Sequence, residues 1–538
     1  MAIIEQWNFA TVWEAVADRY PSRTAVMHGD VALSWAEFDR GADGLAATLL
    51  GAGLVRQSKI AQLQRNSAAY LQVVFADFKA SLVPVNTNFR YLDDELMHVW
   101  EDSDTEAVVF DAEFTEIVSR VRLRLPDVKI WLRVGGDDSC PSWAVPFSAA
   151  TANRPLTGLR ENRSGDDLML LYTGGTTGKP KGVMWRQDDL FRALEAAQGA
   201  SLTDDLEAQG FVERYAARAI TVLTAAPLMH GTACWFAMPI LSRGGTIVTL
   251  TSASLNPVEL LDTVVERKVK GICIAGNAFA KPILETLDAH PGRWDLSSLR
   301  VITTSGAILS EENKQALLSY SVNSTIVDSL GSSESGSIGR ATSSRDSHSR
   351  GASFTLSANA RVLDEDDDDV VPGSGRPGRL ALSGFIPVGY YGDPKKTKET
   401  FVTIDGVRFV VTGDLVEVDA DGRVTFLGRG SSCINTAGEK VYPEEVEEVI
   451  KKLPGVSDAG VFGVPDERLG QAVTAVVHVQ RGLGVAEDDV KKWVRSQLAG
   501  YKTPRRIVIT PDFPRGPNGK LEYAKLRDIV EALRESDQ

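Results

Sequence analysis

The chain has 538 residues, room for three or four folding units at about 150 residues each, and its 43% apolar and 24% charged residues are ordinary globular values. Basic residues number 58 and acidic ones 72, a formal net charge of -14, which argues against a general binder of nucleic-acid backbones. A small module, a wholly disordered chain and a polytopic membrane protein are excluded, and any anion the protein holds needs a local site.

The four cysteines, Cys140, Cys234, Cys273 and Cys433, stand at least 39 positions apart. They form neither a Cys-x-x-Cys motif nor a compact disulfide framework, so a reducing compartment is expected. Glu5, Glu14 and Asp18 interrupt the N-terminal region, which lacks a basic segment followed by an apolar block. No signal peptide is expected, and the cytoplasm is the default location.

Through about residue 430, amphipathic helical patterns alternate with short β-branched runs at 220–224, 246–250, 271–275 and 300–304, the texture of α/β layering. An uncharged stretch of 24 residues lies between Arg218 and Arg243, long enough to span a bilayer. Pro227, Gly231 and Pro239 inside it predict a buried strand, turn and helix instead. Residues 341–351, rich in Ser and Arg, and the acidic run 364–369 are expected to be solvated loops.

After Asp414 the texture becomes a compact α+β pattern. Val416 and Val418 face Val424 and Phe426 across Asp421-Gly422, a hairpin signal. A helix follows, with Pro443 and four glutamates (Glu444, Glu445, Glu447, Glu448) at its start and Lys451 and Lys452 at its end, each sign matching the helix dipole. Strands near 460–464 and 472–479, a helix over 487–498 and a terminal helix complete a unit of about 110 residues. The boundary is expected near residues 428–432.

The segment Tyr172-Thr173-Gly174-Gly175-Thr176-Thr177-Gly178-Lys179-Pro180-Lys181-Gly182 holds four glycines in nine positions, where 47 in 538 predicts fewer than one. Following the apolar run 168–172, it reads as a strand entering a loop whose amides and threonine hydroxyls can surround a polyphosphate, with Lys181 as a point charge. It is not a Walker A loop, because Pro180 follows Lys179 where Ser or Thr is needed.

This loop resembles the signature of the adenylate-forming superfamily of acyl-CoA synthetases, peptide-synthetase adenylation domains and luciferases. Similar motifs run in the family's order from Leu33-Ser34-Trp35-Ala36-Glu37-Phe38 and Val83-Pro84-Val85-Asn86 to Asn518-Gly519-Lys520. The resemblance implies an α/β fold with an α+β lid: a large N-terminal adenylation domain (1–428) of several subdomains, a hinge (429–432) and a small mobile C-terminal domain (433–538). Through Asp328-Ser329-Leu330-Gly331-Ser332-Ser333-Glu334 and Gly438-Glu439-Lys440-Val441-Tyr442-Pro443 the chain is most similar to actinobacterial long-chain and sterol side-chain acyl-CoA ligases.

The resemblance also implies roles. Thr173, Gly174, Gly175, Thr176, Thr177 and Lys181 would hold ATP phosphates; Ser305, Gly306 and Ala307, with Ser329, Leu330, Gly331 and Ser333, would border the adenine and α-phosphate. Leu330 stands where the family has an aromatic ring. Glu334 and Thr173 would bind Mg2+, Asp414 the ribose, Arg429 the ribose or phosphate, and His230 the substrate carboxylate. Lys520 would stabilise the adenylation transition state. Ser431 occupies the pivot position, usually Asp or Lys, and Gly438 and Lys440 would face coenzyme A after a rotation of the lid. Gly231, Ala275, Gly276, Gly306 and Gly336, beside Trp235 and Phe279, would border the acyl channel.

The implied reaction is that of an ATP-dependent acyl-CoA ligase acting on a bulky apolar carboxylic acid, steroidal or fatty. Amino acids are disfavoured because Gly231, Thr232 and Ala233 follow His230, where amino-acid-activating relatives usually carry an Asp. Loading of a carrier protein, a luciferase-like oxidation and an inactive nucleotide-binding scaffold stay open as alternatives. No transmembrane span is expected, and weak membrane-surface contact and a homodimer stay open.

Overall fold

Runs such as Val301–Ser305 and Gly271–Ile274 carry apolar or small side chains on both faces, the composition of parallel strands covered by helices on each side. The computed structural model describes residues 6–156, 158–174, 179–203, 206–307, 309–345, 353–429, 434–441, 443–479, 484–511, 513–514 and 523–536. Among these, the strands form sheets of fourteen, eight and five.

In the largest sheet, Thr24–His28, Thr246–Thr249, Thr221–Thr224, Gly271–Ile274, Val301–Ser305 and Thr325–Ser332 lie side by side and parallel. Gly336–Ser343 then runs antiparallel to Thr325–Ser332, and the sheet continues into an antiparallel region. The second sheet centres on the parallel strands Lys59–Leu63, Val83–Asn86 and Thr105–Asp111, and carries Leu168–Gly174 antiparallel to Pro180–Arg186. The third, Ile434–Thr510 in extent, is covered by the helices Pro443–Lys451 and Glu487–Gln497. A large α/β body thus carries a small α+β unit.

The uncharged stretch is a strand (Thr221–Thr224), a turn and a helix (Gly231–Ser242) with Pro239 inside it. No helix among the described residues is long and apolar enough to cross a membrane. The hairpin has the expected register, Val416 opposite Phe426 and Val418 opposite Val424. Its strands, however, pair with Pro377–Ser383 and Ser353–Leu356 of the largest sheet and do not open the C-terminal unit. Two strands alone are marginal in water, and these gain partners on both sides.

Residues 341–343 are also not loop. They continue the strand Gly336–Ser343, where Ala341 and Ser343 alternate inward, and residues 346–352 lie outside the described set. The acidic turn at 364–369 is exposed and held by Arg379 on Asp367 (2.8 Å) and Arg361 on Asp369 (2.7 Å). Cys140, Cys234 and Cys273 are free thiols; Cys433 lies outside the described residues.

Local signals agree with the layers. Ser34 caps the helix Trp35–Gly51 and Glu37 returns a bond to its backbone, a capping box. Beneath that helix Lys79, only 1% exposed, contacts Glu14 (2.7 Å), Asp39 (2.8 Å) and Asp43 (2.6 Å), and Arg163 closes on Glu14 from the other side at 2.7 Å. Removing one member of such a buried cluster leaves uncompensated charge. Lys79→Met is expected to lower stability by about 3–5 kcal/mol, read from the first transition in urea unfolding.

Candidate active site

The site begins with a turn that its own backbone holds only in part, through His230 N–H to Pro227 O (3.1 Å). After the strand Thr221–Thr224 the chain turns through Pro227 to His230 before the helix starts. Asn66 donates to Thr224 O (3.1 Å) and Ala226 O (2.9 Å) and accepts from Leu228 N (2.6 Å). Asn86, 8% exposed, accepts from Tyr172 N (2.5 Å) and donates to Tyr172 O (2.9 Å) and Met229 O (2.7 Å). Two asparagines therefore supply the partners a strand neighbour would give and fix His230 against the end of Leu168–Gly174.

His230 borders a cleft of about 300 Å³, within the range of a pocket for a small ligand. Of the residues expected at the site, Thr173, His230, Gly231, Trp235, Ser305 and Gly306 line it. Ser329, Gly331, Ser333, Gly336, Gly438 and Lys440 line it as well. Val301, Thr303 and Ser305 face it in strand alternation, as do Val327 and Ser329. Four residues from Ser305 to Val301 give the cleft a depth of about 13 Å at 3.3 Å per residue. Trp235, Phe236 and Ile240 cover this channel from one helix, and Leu194 and Ala197 from the helix Gln187–Ala197.

One rim is a serine turn. A Cβ on Gly331 would stand 1.9 Å from Gly336 O, so only glycine fits the bulge there. Ser335 Oγ accepts Ser332 N–H (3.1 Å), Trp185 Nε1 donates to Ser333 O (2.9 Å), and Glu334 Oε1 accepts from the Tyr390 hydroxyl (2.8 Å). Among the described residues no group of three or more His, Cys, Asp or Glu could hold a metal. Mg2+ does not need one, because it keeps waters and phosphate oxygens and takes one or two protein oxygens; the Glu334 carboxylate and Thr173 hydroxyl suit that requirement.

The C-terminal unit forms the roof. Gly438, at φ +83°, would bring a Cβ within 3.2 Å of Ala275 Cβ, which explains a glycine at this point. Next to it Glu439, 4% exposed, ion-pairs with Arg90 and meets His230 Nε2 at 3.4 Å and Asn88 Nδ2 at 3.4 Å. Burial pushes the Glu439 carboxyl up, but His230 and Arg90 beside it outweigh this and hold it below the usual range. A second contact lies at Lys502, 2% exposed, which donates to Glu95 (2.6 Å) and Glu445 (2.9 Å), while Ala499 N–H also reaches Glu95 (3.1 Å).

Several expected residues stand elsewhere. Lys181 lies on Pro180–Arg186, opposite Thr173, and is ion-paired with Asp393; it is not in the cleft wall. Leu330 packs on the main core, because strand alternation turns it away from the face of Ser329. Ala275 meets Gly438, and the Gly276 N–H bonds Thr304 Oγ1 (3.0 Å), since the chain there leaves its strand for a helix. The apolar wall of the cleft is built instead by Ile220, Val222, Val301 and Val327. Phe279 packs between two core clusters. Ala307, Glu334 and Asp414 lie outside the lining, with Asp414 buried opposite Arg429 in the register. Gly174 and Arg429 end their strands. Gly175, Thr176, Thr177, Ser431 and Lys520 lie outside the described residues.

Asn66, Asn86, Asn88, Glu439, Tyr501 and Lys502 were not singled out by the motifs. Asn86 and Glu439 fall inside quoted motifs, so the signal was present without its chemistry. The others act through contacts 57 to 413 positions apart.

The AMP-binding enzyme profile matches residues 13–391, and the AMP-binding enzyme C-terminal domain profile matches 445–520. A medium/long-chain-fatty-acid–CoA/3-oxocholest-4-en-26-oate–CoA ligase of Mycolicibacterium smegmatis is 39% identical, over 97% of this chain and 96% of that protein. A 3-oxocholest-4-en-26-oate–CoA ligase of Rhodococcus rhodochrous is 35% identical, over 99% and 97%. The solved amide bond synthetase of Marinactinospora thermotolerans shares the fold, with a TM-score of 0.80 over 97% of this chain and 99% of that one at 23% identity.

Asn86→Ala would orphan backbone groups of Tyr172 and Met229, at about 1–3 kcal/mol each, and loosen His230. The expected result is a fall of roughly 10- to 100-fold in kcat/KM for acid-dependent pyrophosphate exchange, measured on folded variant.

Proposed function

The chain belongs to the AMP-binding enzyme family and is an AMP-forming acid–thiol ligase, and on that premise we propose that its acid is a bulky apolar carboxylate, steroidal first and long-chain fatty second. The observation that carries this reading is the channel of about 13 Å under Trp235, Phe236 and Ile240. Acetate would leave it filled with water. The names of the relatives, which include both acid classes, support the same order of size.

In the first half-reaction a carboxylate oxygen, oriented by His230, attacks the α-phosphorus of ATP in line and pyrophosphate leaves. Lys520 carries the transition-state charge. Bound Mg2+, held by Glu334 and Thr173, would supply further neutralisation of phosphate charge. In the second, the CoA thiol loses its proton and attacks the acyl carbon of the adenylate, forming the thioester and releasing AMP. The small unit (433–538) turns on the hinge at 429–432, with Ser431 as pivot, against the body (1–428). In the arrangement described above Gly438, Glu439 and Lys440 face the cleft, which supports its assignment to the thioester-forming half. The cytoplasm, where ATP and CoA are plentiful, suits this chemistry.

A panel of steroidal, fatty and aromatic acids with ATP and CoA tests the substrate class. Release of AMP and pyrophosphate with thioester is expected for steroidal or long-chain acids; turnover confined to acetate or amino acids contradicts the reading, and transfer only to a holo-carrier protein contradicts CoA as acceptor. The roof contact is tested by Glu95→Gln. Loss of a buried charge partner for Lys502 costs several kcal/mol in the closed arrangement, so thioester formation from supplied acyl-adenylate should slow at least roughly tenfold, with a smaller change in pyrophosphate exchange.

A further inference from the structure

The hydrocarbon wall of the channel is interrupted at its far side by an arginine. Arg340 lies on the strand Gly336–Ser343, opposite Ser329 in the antiparallel register. Directly opposed residues share a face, and Ser329 and Arg340 both border the cleft. The strand packs against the helix Gln187–Ala197, and Gln198, just past that helix, lines the cleft with Ser337.

Among the described residues, Arg340 has no carboxylate, carbonyl or hydroxyl partner, and burial alone acts on it, pushing its proton affinity down. Other partly buried arginines are answered by acids or carbonyls: Arg163 by Glu14 (2.7 Å), Arg186 by Asp166 (2.6 Å), Arg243 by Glu195 (2.6 Å) and Arg408 by Pro387 O (2.8 Å). A guanidinium remains charged in the neutral range, and a half-buried one without an oxygen partner is costly. A ligand oxygen would offset that cost.

Its position says which part of the ligand. Gly438 meets Ala275 at the end of Gly271–Ile274, so the reacting end of the cleft stands over that strand. The strand of Arg340 is three strand spacings away in the sheet order, roughly 14 Å. Ser305, Ser329 and Arg340 stand level in the register, so Arg340 lies across the cleft from a carboxylate held at His230, and the opposite end of a long acid lying across the strands is near it.

We infer that Arg340 is a specificity-determining residue that receives an oxygen on the far end of the acyl substrate, a ketone or a second carboxylate. The enzyme then prefers apolar acids oxygenated at that end over acids that finish in plain hydrocarbon. This rests on the acyl-CoA ligase reading and narrows its substrate class.

The experiment uses the full-length protein with ATP, CoA and three acids of matched length: a plain monocarboxylic acid, the same acid with a terminal-region ketone, and the corresponding dicarboxylic acid. Wild type should favour at least one oxygenated acid over the plain one by about 10- to 100-fold in kcat/KM, the range of a hydrogen bond to a charged group. Arg340→Met should bring that ratio within threefold of unity, and Arg340→Lys should keep part of it. The better of the two oxygenated acids identifies the oxygen. Equal kcat/KM for the three acids in wild type overturns the inference whatever the variants do, as does an undiminished ratio in Arg340→Met. A raised KM for ATP with an unchanged acid ratio overturns it too, assigning Arg340 to the nucleotide. No activation of any acid overturns the ligase reading itself, whereas activation without preference overturns only the role of Arg340.

Discussion

Glu439 is a carboxylate nearly sealed from water, and its charge is tolerable there only because Arg90, Asn88 and His230 surround it. Its three partners come from two separate segments of the large body, and Glu439 itself comes from the small unit. On the function proposed above, departure of the small unit would return Glu439 to water, take the acid from Arg90 and release His230. One buried charge thus joins His230 of the large body to the small unit. Lys502, between Glu95 and Glu445, repeats the arrangement with the sign reversed.

The channel beneath depends on the parallel sheet. Strands ending side by side at Thr224, Ile274 and Ser305 put their C-terminal loops around one crevice, where ligands of open α/β sheets bind. The apolar faces of the same strands continue downward as the wall of the cleft. A net charge of -14 does not keep anions from the cleft, because His230, Lys440 and Lys502 line it locally.

Some of this was legible from sequence. The hairpin register followed from alternation around Asp421-Gly422, and the helix from Pro443 followed from its proline and its charges, because both are local patterns. Twelve expected site residues meet in one cleft because the motifs are short and each fixes its own loop. The lysine after the glycine-rich loop was harder: nothing near Lys181 in sequence announces Asp393, 212 positions away. Leu330 and Ala275 point elsewhere because facing depends on a bulge and on where a strand ends, within one residue. Asn66, Asn86 and Lys502 were illegible because their meaning lies in backbone groups far along the chain, and a lone Arg340 reads as surface until the fold buries it.

The central claim is that one cleft performs two half-reactions with the small unit in two positions, and Lys520 separates them most directly. Lys520→Ala should reduce acid-dependent pyrophosphate exchange by about 10²- to 10³-fold, as for loss of a transition-state charge contact. It should retain most of the thioester formation from supplied acyl-adenylate and CoA. Equal loss in the two half-reactions would contradict the account.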